Sequence, residues 1–425
     1  MFTKLKKMLL IAAAVSLLFM VGCSPNEGPG QSNSGAENSQ SAGDNTEVPG
    51  AGESNTPEGP VSVDGVGGTI MFLSSVSSGP TYDALVCFLE GMGDALGYDI
   101  KVVYGDMQND PNGNLTAVKN GMTDDVKAII SMQDGGIQNI MDEYPELYVV
   151  GYTTAMDSVY SEGGASAAAA SNDHFLGSVS GDYVDAARIG QMFAEKVIAN
   201  GYHKVSTMIF PPFAYPDMVV KDAAFRAAIE EHNAVAEDAD KIEVVGEAEV
   251  LMFAPLEDTY FMESDHADLD CVVAICDPGF VYSALISARN QGMIDSTTKL
   301  MAVGYLDDPN FQADIGGDGT VQMIYTAAPE SLAYCVAMID NALNGLSYSD
   351  YTGSQVVDSA LYIIDSAEDI QNVVDKTMLG APDFANSGVT AEQLQNVLLR
   401  YNANATYSDL IGLMASDSMT LDRFN

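Results

Sequence analysis

Residues 271–291 read CVVAICDPGFVYSALISARNQ. The first five are a short, nearly continuous apolar run of the kind that forms a strand buried on both faces. Asp277 then supplies a helix N-cap, and Pro278 fits the first helical turn, where its missing N–H is not needed. The stretch from 280 to 291 follows with an apolar stripe on one side. Strand, turn and amphipathic helix in that order is one unit of a parallel sheet with covering helices.

The unit repeats in both directions from there. Upstream, strand-like runs fall at 69–73, 100–104, 128–131 and 147–152. After a Gly/Ala/Ser stretch at 163–171 they resume at 175–179, 204–210 and 242–245, and beyond residue 275 at 299–304 and 321–325. The intervening helices are equally regular: 182–200 carries Ala186, Ile189, Phe193 and Val197 at spacings of three and four, and 217–231 behaves alike. About 360 residues remain from Gly67 onward, which favours two domains or one large one. The expected fold class is α/β, with two doubly wound parallel-sheet lobes. Such lobes bind ligands where the carboxyl ends of their strands face each other.

The start of the chain is different. Lys4, Lys6 and Lys7 precede an apolar run from Met8 to Val21, with Gly22 ahead of Cys23. That is the pattern of a secretory signal peptide over 1–22. Met20, Val21, Gly22 and Cys23 resemble the lipobox of bacterial lipoproteins, which implies lipidation at Cys23. Residues 23–66 contain no Lys, Arg or aromatic residue and are rich in Ser, Gly, Asn, Pro and Glu. Such a segment cannot bury enough apolar area to offset its ordering entropy, so a disordered tether is expected, its ends about 35 Å apart.

The 17 basic and 60 acidic residues give a formal net charge of −43. Removing the three leader lysines leaves 14 basic residues and a net charge of −46. A surface so acidic repels phosphate backbones and anionic lipid, which excludes nucleic acid as a partner and restricts membrane association to the lipid anchor. Cys271 and Cys276 lie five apart in one strand and point to opposite faces, so they cannot pair with each other. With Cys87 and Cys335 they read as buried small hydrophobes.

The sequence carries no recognisable catalytic constellation. After the first strand, residues 74–79 read SSVSSG, which is neither a phosphate loop nor a dinucleotide fingerprint, and there is no nucleophile elbow. His174, His203, His232 and His266 lack metal-ligand spacing. Residues 106–114, DMQNDPNGN, cluster carboxylates and amides as a calcium loop does, but Gln108 stands at the first ligand position and Lys119 at the bidentate one. A strand-to-helix turn is expected instead. No enzyme activity, metal or cofactor is expected. Arg188, Arg226 and Arg289 all fall inside helices rather than at strand ends, so the ligand is expected to be neutral and polar.

The layout resembles the type I periplasmic solute-binding proteins, and most of all their sugar-binding branch. Residues 177–190, GSVSGDYVDAARIG, are similar to the segment in which that family crosses into its second lobe. Residues 224–229, AFRAAI, are similar to its Gly-Phe-x-x-Ala-Leu helix, 270–292 to its strand ending in Asn-Asp, and 299–307 to its Val-Val-Gly-Phe-Asp strand. The resemblance implies lobe 1 over 67–174, lobe 2 over 175–326, and a return to lobe 1 with a C-terminal extension over 327–425. It also implies a multi-strand hinge, with crossovers near Ser178, Leu306 and Ala327. The sugar-contacting positions depart from the family: Thr153 and Thr154 replace Asp-Arg, Cys276 stands beside Asp277 where Asn is usual, and Ala327 stands where Gln would be.

Strand-end geometry nominates the ligand-binding residues. In lobe 1 these are Ser74, Ser75, Ser77 and Ser78 with Tyr82, then Gln133 and Asp134, then Thr153 and Thr154. In lobe 2 Phe213 and Tyr215 offer an aromatic wall, and Cys276, Asp277, Tyr305, Asp307 and Thr326 complete the rim. Hydroxyls and amides can bracket a neutral ligand's donors and acceptors, and rings can stack on its faces. The resemblance implies a monomeric receptor on the outer face of the cytoplasmic membrane that closes on a solute, a sugar first among candidates, and passes it to an ABC transporter permease. A nucleoside ligand, or a sensor that presents its closed lobes to a membrane receptor, is the alternative.

Overall fold

The carboxyl ends of two parallel sheets are the positions around which this chain is arranged. The computed structural model describes residues 67–106, 110, 112–152, 156, 172–180, 186–212, 215–414 and 421. All belong to the unit Glu58–Asn425. The leader, Cys23 and the tether lie outside the described residues.

The first sheet is built from β1 (Thr69–Ser74), β2 (Asp99–Tyr104), β3 (Val126–Ser131), β4 (Tyr148–Tyr152), β5 (Phe175–Ser180) and β12 (Val356–Asp358), in the order β12-β5-β4-β3-β1-β2. Every pairing in it is parallel. β1, TIMFLS, is buried along its whole length, as a central strand covered on both faces must be. Helices α1 (Pro80–Leu96), α2 (Gly113–Gly121) and α3 (Ile137–Glu143) follow β1, β2 and β3 in turn. α1 begins with Pro80 in its first turn and stops at Gly97, whose φ of 84° lets its N–H reach the Gly93 carbonyl.

The second sheet uses β6 (Lys204–Ile209), β7 (Glu243–Val244), β8 (Glu249–Val250), β9 (Cys271–Ala274), β10 (Lys299–Val303), β11 (Val321–Ala327) and β13 (Leu361–Ile364). Its order is β13-β11-β10-β9-β6-β7, with β8 also on β6. Only β13 runs antiparallel to its neighbour. Helices α4 (Ala186–Ala199) and α5 (Pro216–Val235) pack along each other. Their close approach requires Gly190, where a Cβ would lie 2.1 Å from the Lys221 carbonyl oxygen.

Two expectations about the lobes differ from what is observed. β5 pairs with β4, so lobe 1 extends through Ser180 and lobe 2 does not begin at residue 175. The run at 175–179 is as apolar as any lobe 2 strand, and nothing in its composition marks the sheet it joins. The third crossover is not at Leu306, which follows β10 within lobe 2, but at residues 359–360 between β12 and β13. Another is at 328–331, directly after Ala327, and the residues between β5 and α4 lie outside the described residues.

The return to lobe 1 is α8 (Leu332–Leu343), which follows α6 (Tyr282–Asn290) and α7 (Pro309–Ala313) of lobe 2. Residues Leu332 to Asn341 are all buried, because α8 lies against β4 and β5 on one side and beneath α10 (Ala391–Val397) and α11 (Tyr407–Leu413) on the other. A helix apolar nearly all round is a buried helix. Its one carboxylate, Asp340, accepts from Tyr98 Oη at 3.0 Å and from Arg400 Nε at 3.0 Å, while Arg400 also donates to the Leu96 carbonyl at 2.9 Å. Desolvation still raises the Asp340 pKa above the ordinary carboxylate value, and the Arg400 charge opposes it. Asp340→Ala strands a buried guanidinium, and we expect it to lower unfolding free energy by about 3–5 kcal/mol in urea titrations. A loss within ~0.5 kcal/mol would show that this pair does not tie the extension to lobe 1.

Candidate functional site

In lobe 1 the ends of two neighbouring strands are finished by the same device. Ser74 Oγ donates to the Val76 carbonyl at 2.6 Å and accepts from its N–H at 3.2 Å. Ser131 Oγ does likewise with Gln133, at 2.7 and 3.3 Å. The turns send residues 75–78 and 132–134 across the carboxyl edge of the sheet. Gln133 Nε2 then donates to the Gly105 carbonyl at 3.0 Å, linking the end of β3 to the end of β2. Asn114 Nδ2 donates to the Gly135 carbonyl at 2.7 Å, while its buried Oδ1 has no partner.

Ser74 is therefore fully buried, with its hydroxyl engaged in its own turn. Ser75 and Tyr82 are half-buried at the rim, Ser77 and Ser78 are exposed, and Gln133 and Asp134 are half-buried beside them. Thr153, Thr154 and, in lobe 2, Phe213 lie outside the described residues.

The lobe 2 rim carries a ring cluster. Phe210 follows β6, Tyr215 precedes α5, Phe253 follows β8 and Phe280 follows β9. Phe210 lies 5.5 Å from Tyr215, 5.7 Å from Phe253 and, edge-on, 4.8 Å from Phe280, centroid to centroid. Further along the edge, Asp277 accepts from the Gly279 N–H at 2.7 Å, capping a short 3-10 turn as its position before Pro278 predicts. Desolvation raises its pKa above the usual carboxylate value, and the Gly279 N–H partly offsets this. Asp307 is exposed and shares Gln312 with Tyr305: Gln312 Nε2 is 3.1 Å from Asp307 Oδ1 and 2.7 Å from Tyr305 Oη.

Three nominated residues of this lobe are interior. Cys276 is fully buried, its thiol pushed up to about 12 by desolvation. Tyr305 is buried with its hydroxyl pushed up to about 12 for the same reason. Thr326 is buried in β11, paired with Tyr362 of β13. All three sit one or two residues from a strand end on the side turned into the sheet's packing, which strand-end counting alone does not distinguish.

The four arginines among the described residues have protein partners. Arg188 pairs with Glu195, Arg226 with Asp222 and Thr207, Arg289 with Thr320 and Ser296, and Arg400 with Asp340. No cluster of His, Cys, Asp and Glu among the described residues is arranged to hold a metal ion.

No protein-family model matches the sequence, and no curated protein does. Solved structures do. A solute-binding protein of an ABC transporter from Actinobacillus succinogenes, with bound D-allose, superposes with a TM-score of 0.55 at 14% identity, covering 72% of this chain and 99% of its own. The fold is that of the type I periplasmic solute-binding proteins. A second example from Agrobacterium vitis, bound with α-D-tagatopyranose, gives 0.53 at 14% identity over 72% of this chain and 96% of its own. A glucose-galactose binding protein from Geobacillus stearothermophilus gives 0.51 at 13% identity over 70% and 97%. The type I fold thus accounts for nearly all of each neighbour but leaves more than a quarter of this chain additional to it.

Other side chains near the carboxyl ends of the strands, which the sequence did not nominate, are Val76, Tyr104, Met252, Phe253 and Phe280, with Asn114 buried behind them. The signal available was the run 250–256, VLMFAPL, seven apolar residues with neither helical nor strand period. The four cysteines from Cys87 onward are free thiols, with Cys87 half-buried and the other three buried. Iodoacetamide at pH 8, followed by peptide mass mapping, should modify Cys87 well before Cys271, Cys276 or Cys335, which react only on unfolding. Early modification of Cys276 would place it on the cleft surface after all.

Proposed function

We propose that the protein is an extracytoplasmic solute receptor, held to the membrane by lipid at Cys23, that closes its two lobes on a small neutral polar solute of the sugar class and delivers it to an ABC transporter permease. The observation that carries this reading is the pair of mostly parallel sheets exchanging strands at one edge, with polar and aromatic side chains gathered at their carboxyl edges and no arginine among the described residues left over for an anion. The solved neighbours bound to D-allose and α-D-tagatopyranose support the sugar class. A binding rather than a catalytic role is supported by the solved neighbours, which are solute-binding proteins.

Lobe closure stabilises the bound form only through contacts made across both lobes at once. Thermal unfolding against a panel of neutral sugars, polyols, nucleosides and amino acids tests it. A ligand present at about 100 times its dissociation constant adds about 2.7 kcal/mol, a rise of several degrees in Tm. A rise with one neutral class and none with sugar phosphates or sugar acids is the expected outcome. A rise confined to the anionic members would overturn the neutral-ligand reading.

A further inference from the structure

We infer that the mouth of the cleft, on the side away from the hinge, binds a flat uncharged ring carried by the solute, so that the ligand is a hydroxylated molecule joined to a planar ring rather than a free monosaccharide. This rests on the solute-receptor reading and deepens it. The sheet orders say which side is which. The crossovers leave from β5 and β12 in one sheet and from β11 and β13 in the other, all at one edge, so β1, β2, β6 and β8 stand at the opposite side.

Lobe 2 becomes apolar there, and lobe 1 adds two exposed apolar side chains among the serines at 75, 77 and 78. In lobe 1, Val76 is 38% and Tyr104 43% exposed, at the ends of β1 and β2. In lobe 2, residues 251–256 form a strap over the carboxyl edge. One end is fixed by the Leu251 N–H on the Ile209 carbonyl at 2.9 Å, the other by the Leu256 N–H on the Phe280 carbonyl at 2.7 Å. Between those ties lie Met252, Phe253, Ala254 and Pro255, all exposed and without one polar side chain, Met252 at 64% and Phe253 at 38%. Tyr215, 39% exposed, adjoins Phe253 at 6.2 Å between centroids.

Phe253 also holds a φ of 55°, in the left-handed region that a bulky residue rarely enters. Runs of exposed apolar residues and strained backbone are both costly, and they persist where binding uses them. Nearer the hinge the rim is polar, through Gln133, Asp134, Asp277 and Asp307. The complement to such a cleft has hydroxyls at one end and a ring at the other. A quaternary ammonium would need a cage, and the four rings of lobe 2 instead pack on one another.

Calorimetric titration with matched pairs tests this: adenosine against ribose, phenyl β-glucoside against glucose, with choline as a third probe. The ring-bearing member of at least one pair should bind more tightly by about 5- to 150-fold, the range over which a stacking ring acts. Phe253→Gly suits the left-handed backbone but removes a ring packed on Phe210 and Tyr215, so it should lower Tm while weakening the ring-bearing member far more than the free sugar and bringing that pair to near parity. Equal affinities within both pairs would overturn the inference. So would a variant that weakens ring-bearing and ring-free ligands alike, which would make the mouth a lobe-to-lobe latch, and so would choline binding best. If none of these probes nor any solute of the wider panel binds, the receptor reading itself falls and takes the inference with it.

Discussion

A carboxylate sealed away from water inside a hinge must be given partners, and in this chain they come from both sides of it. Glu330, fully buried in the crossover after β11, accepts from Tyr362 Oη of lobe 2 at 2.9 Å and from the Gly388 N–H of the C-terminal segment at 2.8 Å. The neighbouring backbone adds a bond from the Ala328 N–H to the Ala360 carbonyl at 2.9 Å, and Ser331 Oγ accepts from the Ala360 N–H at 3.1 Å. Leaving a buried polar group without partners costs about 1–3 kcal/mol. The crossovers at 328–331 and 359–360 are therefore held as one piece, and the two sheets are kept carboxyl edge to carboxyl edge. The cleft exists because that joint does.

Much of this was legible in the sequence because parallel strands covered on both faces cannot hide: TIMFL, KAIIS, CVVAI and KLMAV announce themselves by lacking polar alternation. Sheet membership was less visible. β5 carries no mark of the lobe it joins, and β12, only Val356–Asp358, is too short to stand out from the loop around it. The rim followed the same division. Serine and acidic residues at strand ends were readable as polar positions, but whether a hydroxyl faces the cleft or closes its own turn depends on one torsion. Ser74 closes its turn, whereas Ser77 and Ser78 stand clear. The strap at 251–256 carries neither a helical nor a strand period, and composition reports apolarity and not exposure.

Charge acts here mostly by being used up. Lys196 pairs with Asp365, Lys221 with Asp217 and Lys299 with the Asp318 and Gly319 carbonyls. With so few cations and those committed to packing, the chain as a whole keeps a formal net charge of −43, which works against association with anionic partners.

The clip formed by Asp340 and Arg400 has a consequence for the order in which the molecule can assemble. Chains fold as they are made, N-terminal portions first. Yet β1, the first strand produced, belongs to a sheet that still lacks β12, and to a core whose helix α8 carries a buried charge with no cation until residue 400 arrives. Lobe 2, drawn almost wholly from residues 186–327 with only β13 to come, has nearly all it needs much earlier. The lobe begun first is finished last, and for most of synthesis it is the half of the molecule that depends on protection from its surroundings.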